Sequence, residues 1–146
     1  MWKMAHYYRA IYPKFNWERY RTLTDTFGLD DRANLNGFSK GMKRQAATIL
    51  ALSTMPDYLF FDETFDGLDP VMRLMVKKLL AEAVAERDMT VIIASHNLRE
   101  LEDVCDHVGI MNKGKVIIER SLSELQGNVS KIQVACEGEI PELPEG

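Results

Sequence analysis

The sequence has little cysteine, and Cys105 and Cys136 stand far apart without a C-x-x-C pair. This excludes a disulfide framework and a cysteine-based zinc site, and it is typical of a reducing compartment. No apolar run approaches the ~18 residues that a membrane-spanning helix needs, and the N-terminus is not typical of a signal peptide. Any membrane role is therefore expected to go through a partner. Basic residues (18) are fewer than acidic ones (22), so general nucleic-acid binding is not indicated.

The composition is that of an ordinary globular protein. The chain has 146 residues, of which 46% are hydrophobic and 27% are charged. That length and that apolar fraction are enough for one domain with a real core.

The central stretch of the sequence is an apolar run, Tyr58 to Phe61, that leads directly into Asp62 and Glu63. A short apolar run bounded by turn signals predicts a strand buried on both faces, with the two acids at its C-terminal end. Open α/β sheets bind their ligands at that edge. One acid there could hold Mg²⁺ and the other could orient a water. The alternative is a strand that ends in ordinary surface acids.

A second candidate site lies at the start of a predicted helix. Ser39 is a suitable N-cap, Lys40 and Gly41 follow it, and an apolar run continues the helix. Backbone N–H groups at such a helix start bind phosphate. An ordinary serine-capped helix is the commoner explanation of this pattern.

Two further helices have clear start signals. Asn16 predicts an N-cap, and Gly28 predicts the end of the helix that follows it. Asp69 and Pro70 predict a helix start, with the helix reaching about Arg87. The periodic apolar residues of this last helix are Leu74, Met75, Leu79, Ala83 and Val84. Before Asn16, residues 7, 10 and 11 share one helical face, which we interpret as part of a helical core, with Tyr7 and Tyr8 as the lesser candidates for an interaction surface.

The second half of the chain alternates strands and helices. Strands are predicted at 90–94, 107–111, 115–118 and 131–135, with a turn at 112–114. His96 follows the first of these strands, and Asn97 is a candidate cap for a helix containing Leu98, Leu101 and Val104. Ser121 is expected to open a short helix, and residues 137–146 form an acidic tail.

Three features in a fixed order carry a family resemblance: Ser39-Lys40-Gly41, then Asp62-Glu63, then His96 after a strand. Here the chain strongly resembles the nucleotide-binding subunits of ABC transporters over almost its whole length, and most closely those of bacterial exporters. The resemblance implies an α/β fold, the C-terminal part of a P-loop NTPase core with a preceding helical subdomain. The implied domains are a helical subdomain at 1–57, an α/β core at 58–128, and a short strand with a flexible tail at 129–146.

The resemblance also implies roles for individual residues. The signature motif corresponds to Phe38–Met42, in which Ser39, Lys40 and Gly41 would lie against the γ-phosphate of ATP held by an opposite subunit. Asp62 would serve Mg²⁺, Glu63 would polarise the attacking water, and His96 would hold the γ-phosphate and that water. Asp66–Asp69 corresponds to the D-loop, which crosses the dimer interface, and the resemblance makes Asp69 a candidate cofactor-binding residue. Thr64, where the family usually has proline, and the altered signature residues Phe38, Lys40 and Met42 are departures from the pattern.

The phosphate-binding motif G-x-x-x-x-G-K-[ST] is missing from this sequence. Residues 109–116 nearly match it, but they end in Val116, follow the acidic strand and precede another strand. A hairpin turn at 112–114 is the better interpretation. We therefore expect apolar strand edges at 58–61 and 91–94 to be exposed, and the isolated chain to oligomerise or exchange elements.

The implied function is that of an ATP-binding and ATP-hydrolysing subunit. ATP and Mg²⁺ are the implied cofactors. A second ATP-binding subunit and a transmembrane permease are the implied partners, with no nucleic acid and no direct membrane insertion. The implied location is the cytoplasm, at the inner face of the membrane. The alternative is a non-hydrolytic or regulatory module that docks on a complete ATPase or on a membrane subunit. A related ATPase outside transport is a weaker alternative, since neither a basic stripe nor an inserted coiled coil supports it.

Overall fold

A computed structural model describes residues 1–65, 68–97, 101 and 104–128. The chain forms two compact units, Met1–Val104 and Cys105–Gly146. The predicted functional division at residues 57 and 128 follows motifs and not compactness, and it stays a prediction. Asp66, Gly67, Leu98, the strand at 131–135 and the tail at 137–146 lie outside the described residues.

The first unit contains four α-helices, one 3₁₀ turn and two strands within its described part. The helices are α1 (Trp2–Ile11), α2 (Trp17–Thr26), α3 (Lys40–Ser53) and α4 (Pro70–Arg87), and the turn is Leu35–Gly37. The strands are β1 (Tyr58–Asp62) and β2 (Thr90–Ala94). No helix in the described ranges has both the length and the apolar character to cross a membrane.

The helix starts confirm the predicted caps. Asn16 Oδ1 accepts a hydrogen bond from a first-turn amide of α2 at 2.9 Å, and Ser39 Oγ does the same for α3 at 3.2 Å. Asp69 Oδ1 accepts two such bonds at the start of α4, both 3.0 Å long. Gly28 has φ of 63° just beyond α2, a backbone conformation that suits glycine at a helix end.

One hydrophobic core joins the helices to the strands. Its largest fully buried apolar side chains come from α2, α3, α4 and the loops beside them, namely Tyr20, Ile49, Leu52, Phe65, Val76, Leu80 and Met89. Leu59 and Phe61 of β1 point into the same cluster. One face of the two-stranded sheet therefore packs against the helical layer.

The parallel pairing of β1 with β2 runs from Tyr58 opposite Thr90 to Asp62 opposite Ala94. The prediction that β1 is buried on both faces was wrong, because its side chains alternate between exposed and buried. Tyr58 is 67% exposed and Phe60 is 70% exposed. Within the described residues the core packs against one face only, so the apolar residues of the other face meet solvent.

Two helix faces also differ from the prediction. In α4 the buried residues are Val76, Leu80 and Ala83, whereas Leu74 and Val84 are exposed. In α1 the predicted core residues Tyr7 and Ile11 are exposed. The helices themselves were predicted correctly. Both are apolar on more than one side, so the period alone does not select the side that packs.

The second unit begins with an antiparallel hairpin of β3 (His107–Asn112) and β4 (Lys115–Ser121), followed by α5 (Leu122–Asn128). Lys113 and Gly114 both have positive φ, 46° and 74°. Two such residues are typical of the tight turn whose twist matches a hairpin. The rejection of residues 109–116 as a phosphate-binding loop is therefore confirmed, since a strand and not a helix follows the turn.

Candidate functional site

The site lies at the edge where β1 and β2 both end. Because the strands are parallel, their carboxyl ends meet there, with Asp62 opposite Ala94. The amide of Glu63 donates to the carbonyl oxygen of Ala94 over 3.0 Å, which extends the ladder one residue past the strand. The sheet thus places two adjacent acids beside the residues that follow β2.

Glu63 and His96 meet at this edge although 33 residues separate them in the chain. His96 Nδ1 lies 2.8 Å from Glu63 Oε1, and the backbone amide of His96 donates to the same oxygen over 3.3 Å. The imidazole is 81% exposed and the carboxylate is 37% exposed. An acid and an imidazole in contact at an open edge can share a proton and can bind a water or an anion together.

Asp62 is the exposed last residue of β1. Within the described part of the chain, no hydrogen bond or ion pair engages its carboxylate. Proteins usually bind Mg²⁺ through one or two carboxylates together with phosphate oxygens of the substrate. Asp62 fits that donor set. The described residues contain no group of three His, Cys, Asp or Glu side chains that would hold a metal without a substrate.

The start of α3 carries the signature residues. Ser39 Oγ accepts from the Met42 amide, so this hydroxyl caps the helix. Lys40 and Gly41 form the first helical positions behind it. Amides at the start of a 14-residue helix can bind an anion, and this role of the helix start stays a prediction.

Asp69 occupies the corresponding position in α4. Its carboxylate accepts from the amides of Val71 and Met72, and Pro70 completes the start of the helix. The carboxylate is thus used locally as a cap. The cofactor-binding role that the resemblance gave to Asp69 stays a prediction.

Sequence reasoning missed Arg44. This half-buried residue lies in the second turn of α3, and its Nη1 donates a hydrogen bond to the backbone carbonyl of Glu63. Glu63 itself has φ of 49°, a left-handed conformation that is costly for a residue with a side chain. A basic residue after a helix cap is the sequence signal, but its acceptor depends on how α3 packs against β1.

Curated relatives of this chain include two ATP-binding proteins of bacterial transporters. The chain is 31% identical over 132 residues to the ABC transporter ATP-binding protein YtrB of Bacillus subtilis (strain 168), which covers 90% of this chain and 45% of that protein. It is 38% identical over 89 residues to the bacitracin transport ATP-binding protein BcrA of Bacillus licheniformis, covering 61% of this chain and 29% of that protein. The chain thus spans less than half the length of each. A scan against protein-family models finds no match.

A solved structure shares the fold. The protein cbiO1 from Clostridium perfringens, described as part of the ABC transporter complex cbiONQ, aligns with a TM-score of 0.60 and 29% sequence identity. The alignment covers 76% of this chain and 45% of that one. The α/β arrangement described above is therefore that of an ABC ATPase domain.

Proposed function

Since the chain belongs to the family of ABC transporter ATP-binding proteins, we propose that it forms part of an ATP-binding and ATP-hydrolysing subunit. In this proposal, ATP is hydrolysed at an interface between two such subunits, and the reaction drives transport through a membrane permease. The observation that carries the proposal is the contact of 2.8 Å between Glu63 and His96, beside Asp62 at the sheet edge.

Asp62, Glu63 and His96 at the sheet edge have different roles in the proposed hydrolysis. When bound, Mg²⁺ and ATP supply the reacting phosphoanhydride bond and a cation that neutralises charge on the phosphates. Asp62 holds that cation. Glu63 accepts a hydrogen bond from the attacking water and polarises it, and His96 keeps the water and the γ-phosphate oxygens in place. The imidazole of His96 is 81% exposed, so a water or a phosphate can approach it from solvent.

The start of α3 serves the second half of a shared site. In a dimer, Ser39 and the amide of Gly41 contact the γ-phosphate of ATP held by the opposite subunit, with Lys40 beside them. The helix dipole favours this, because its positive end faces the anion. Asp69 belongs to the loop that crosses the interface. This arrangement makes hydrolysis depend on assembly of the two subunits.

The membrane partner is proposed from the family. The neighbour cbiO1 is described as part of a transporter complex, which supports a permease partner for this chain as well. The subunit then works in the cytoplasm, bound to the inner face of the membrane through the permease. Transport out of the cell, which the exporter resemblance suggests, is part of the same proposal.

A second candidate function is a non-hydrolytic module that docks on a complete ATPase or on a membrane subunit. One observation favours it: the sequence contains no G-x-x-x-x-G-K-[ST] motif to hold the phosphates. Such a module offers the start of α3 to the ATP of a partner. Its own Asp62, Glu63 and His96 then perform no turnover.

Replacement of Glu63 by glutamine in the assembled ATPase tests the main proposal. We expect E63Q to lower phosphate release by about 10²- to 10⁴-fold, the usual contribution of a general base, while ATP stays bound. The free energy of unfolding should change little, because an exposed acid–imidazole contact contributes only about 0–1 kcal/mol even when both groups are charged. Glu86, exposed on α4, provides the matched control E86Q. Unchanged turnover in E63Q would remove Glu63 from the role of base, and equal losses in both variants would point to a general effect of charge.

A further inference from the structure

Glu63 has a backbone conformation that needs support from its surroundings. The described non-glycine residues with positive φ are Met55, Glu63, Asp88 and Lys113. Asp88 ends a helix and Lys113 lies in a hairpin turn, where this conformation is expected. Glu63 instead directly follows a strand. Strained backbone at such a position persists only where neighbouring groups hold it.

Within the described part of the chain, three groups hold Glu63, each from a different part of the first unit. Its amide donates to the carbonyl of Ala94 in β2. Its carboxylate contacts the ring and the amide of His96. Its carbonyl oxygen accepts from Arg44 Nη1 in α3. The first two contacts come from the strand side, so the guanidinium is the support that comes from the helical layer.

We propose that Arg44 is a positioning residue, which fixes the backbone of Glu63 and thereby the orientation of the Glu63–His96 pair. Arg44 acts through Glu63 and does not itself contact ATP. It lies one turn behind the helix start formed by Ser39 and Gly41. The helix that faces one phosphate site therefore also supports the carboxylate of the other site. The catalytic meaning of this link rests on the proposed function, whereas the link itself is a property of the free chain.

The test uses the whole chain without nucleotide. The sequence contains three histidines, His6, His96 and His107, and the ¹H–¹³C resonances of their rings report on three separate places. We expect R44Q to displace the His96 resonances, because an unsupported carbonyl lets residue 63 leave its left-handed conformation. The resonances of His6 and His107 should stay in place. Lys43 is the adjacent exposed cation, and K43Q should displace none of the three.

A second variant keeps the proposal testable if R44Q does not fold. R44K retains the positive charge and most of the aliphatic part of the side chain, but it replaces the planar guanidinium with a single ammonium group of shorter reach. It should displace the His96 resonances in the same direction and by less. Unchanged His96 resonances in either folded variant would overturn the proposal, as would equal displacement in K43Q. Because no nucleotide is present, these outcomes are independent of whether the assembled protein hydrolyses ATP.

Discussion

Tyr20 is completely buried in α2, and its hydroxyl has no hydrogen-bond partner within the described part of the chain. The hydroxyl of Thr24 donates to the backbone carbonyl of Tyr20 over 2.7 Å. Burial, and to a lesser extent the charge of Asp31, raises the pKa of Tyr20 to about 12 from 10.0. The buried ring thus stabilises the core while its hydroxyl does not.

The raised pKa of Tyr20 predicts a loss of stability at alkaline pH. The unfolded chain releases the tyrosine proton near pH 10, whereas the folded chain holds it until about pH 12. The stabilisation is complete below pH 10 and falls as the pH rises from 10 to 12. Y20F should remove this part of the pH dependence in urea unfolding. At neutral pH it should keep or raise the free energy of unfolding, by up to about 1 kcal/mol, because no hydrogen bond is lost.

Tyr7 is 62% exposed, so Y7F serves as the control for Y20F and should unfold like the wild type at every pH. If the free energy of unfolding of Y20F fell at alkaline pH as steeply as that of the wild type, Tyr20 would not be the source of the loss.

At the level of single residues, the sequence predicted where the two acids lie better than it predicted the contacts that hold them. Asp62 and Glu63 were placed correctly at the strand end, since an apolar run that stops at two acids leaves few other positions. The role of His96 beside them came from the family resemblance, supported by its place after a strand. The hydrogen bond from Arg44 to Glu63 could not be predicted, because it joins residues from separate elements whose approach depends on packing.

At the level of elements, the helix starts were predictable because their signals are local. Asn16, Ser39 and Asp69 each cap an amide within three residues in sequence. The face that a helix buries is not a local property. Leu74 and Val76 are both apolar and lie two positions apart in α4, yet Leu74 is exposed and Val76 is buried. Only the position of the core distinguishes them.

The cap of α4 gives a prediction about stability. Asp69 accepts two amide hydrogen bonds, so D69A should lower the free energy of unfolding by about 0.5–2 kcal/mol. D69N should retain most of the stability, because asparagine is an equally good cap. The measurement is urea unfolding followed by circular dichroism.

Asp57 provides the control for D69A. Its contact with Lys14 spans 3.4 Å between side chains that are 75% and 70% exposed, and D57A should cost less than D69A. If D69A were as stable as the wild type, the cap would not contribute to folding.

At the level of the whole molecule, the β1–β2 sheet stands out because only one of its faces is covered by other described residues. Parallel strands are usually covered on both faces, but Tyr58, Phe60 and Ile92 remain exposed. Each strand has one paired edge within the described sheet. The sequence predicted exposed strand edges here, and the structure adds an exposed apolar face.

This surface predicts self-association of the isolated chain. Light scattering should give a mass above that of the monomer, because exposed strand edges and apolar side chains favour contacts between copies. F60K should shift the mass toward the monomer by placing a charge on the face. Y7K, at another exposed aromatic residue, should leave the mass unchanged. A wild-type chain that is monomeric at all concentrations would contradict this prediction.

The central proposal is that Asp62, Glu63 and His96 of this chain form the hydrolytic edge of an ATP site, which needs a phosphate-binding loop beside it to hold the nucleotide. Calorimetric titration with Mg-ATP tests it most directly, on the chain alone and on the chain mixed with a polypeptide that carries the loop of a family member. We predict no binding at micromolar ATP by the chain alone. The mixture should bind, with D62N abolishing the binding and D88N, at an exposed residue in α4's C-terminal cap, preserving it. Clear micromolar binding by the chain alone, or binding by the mixture that D62N leaves intact, would contradict the claim.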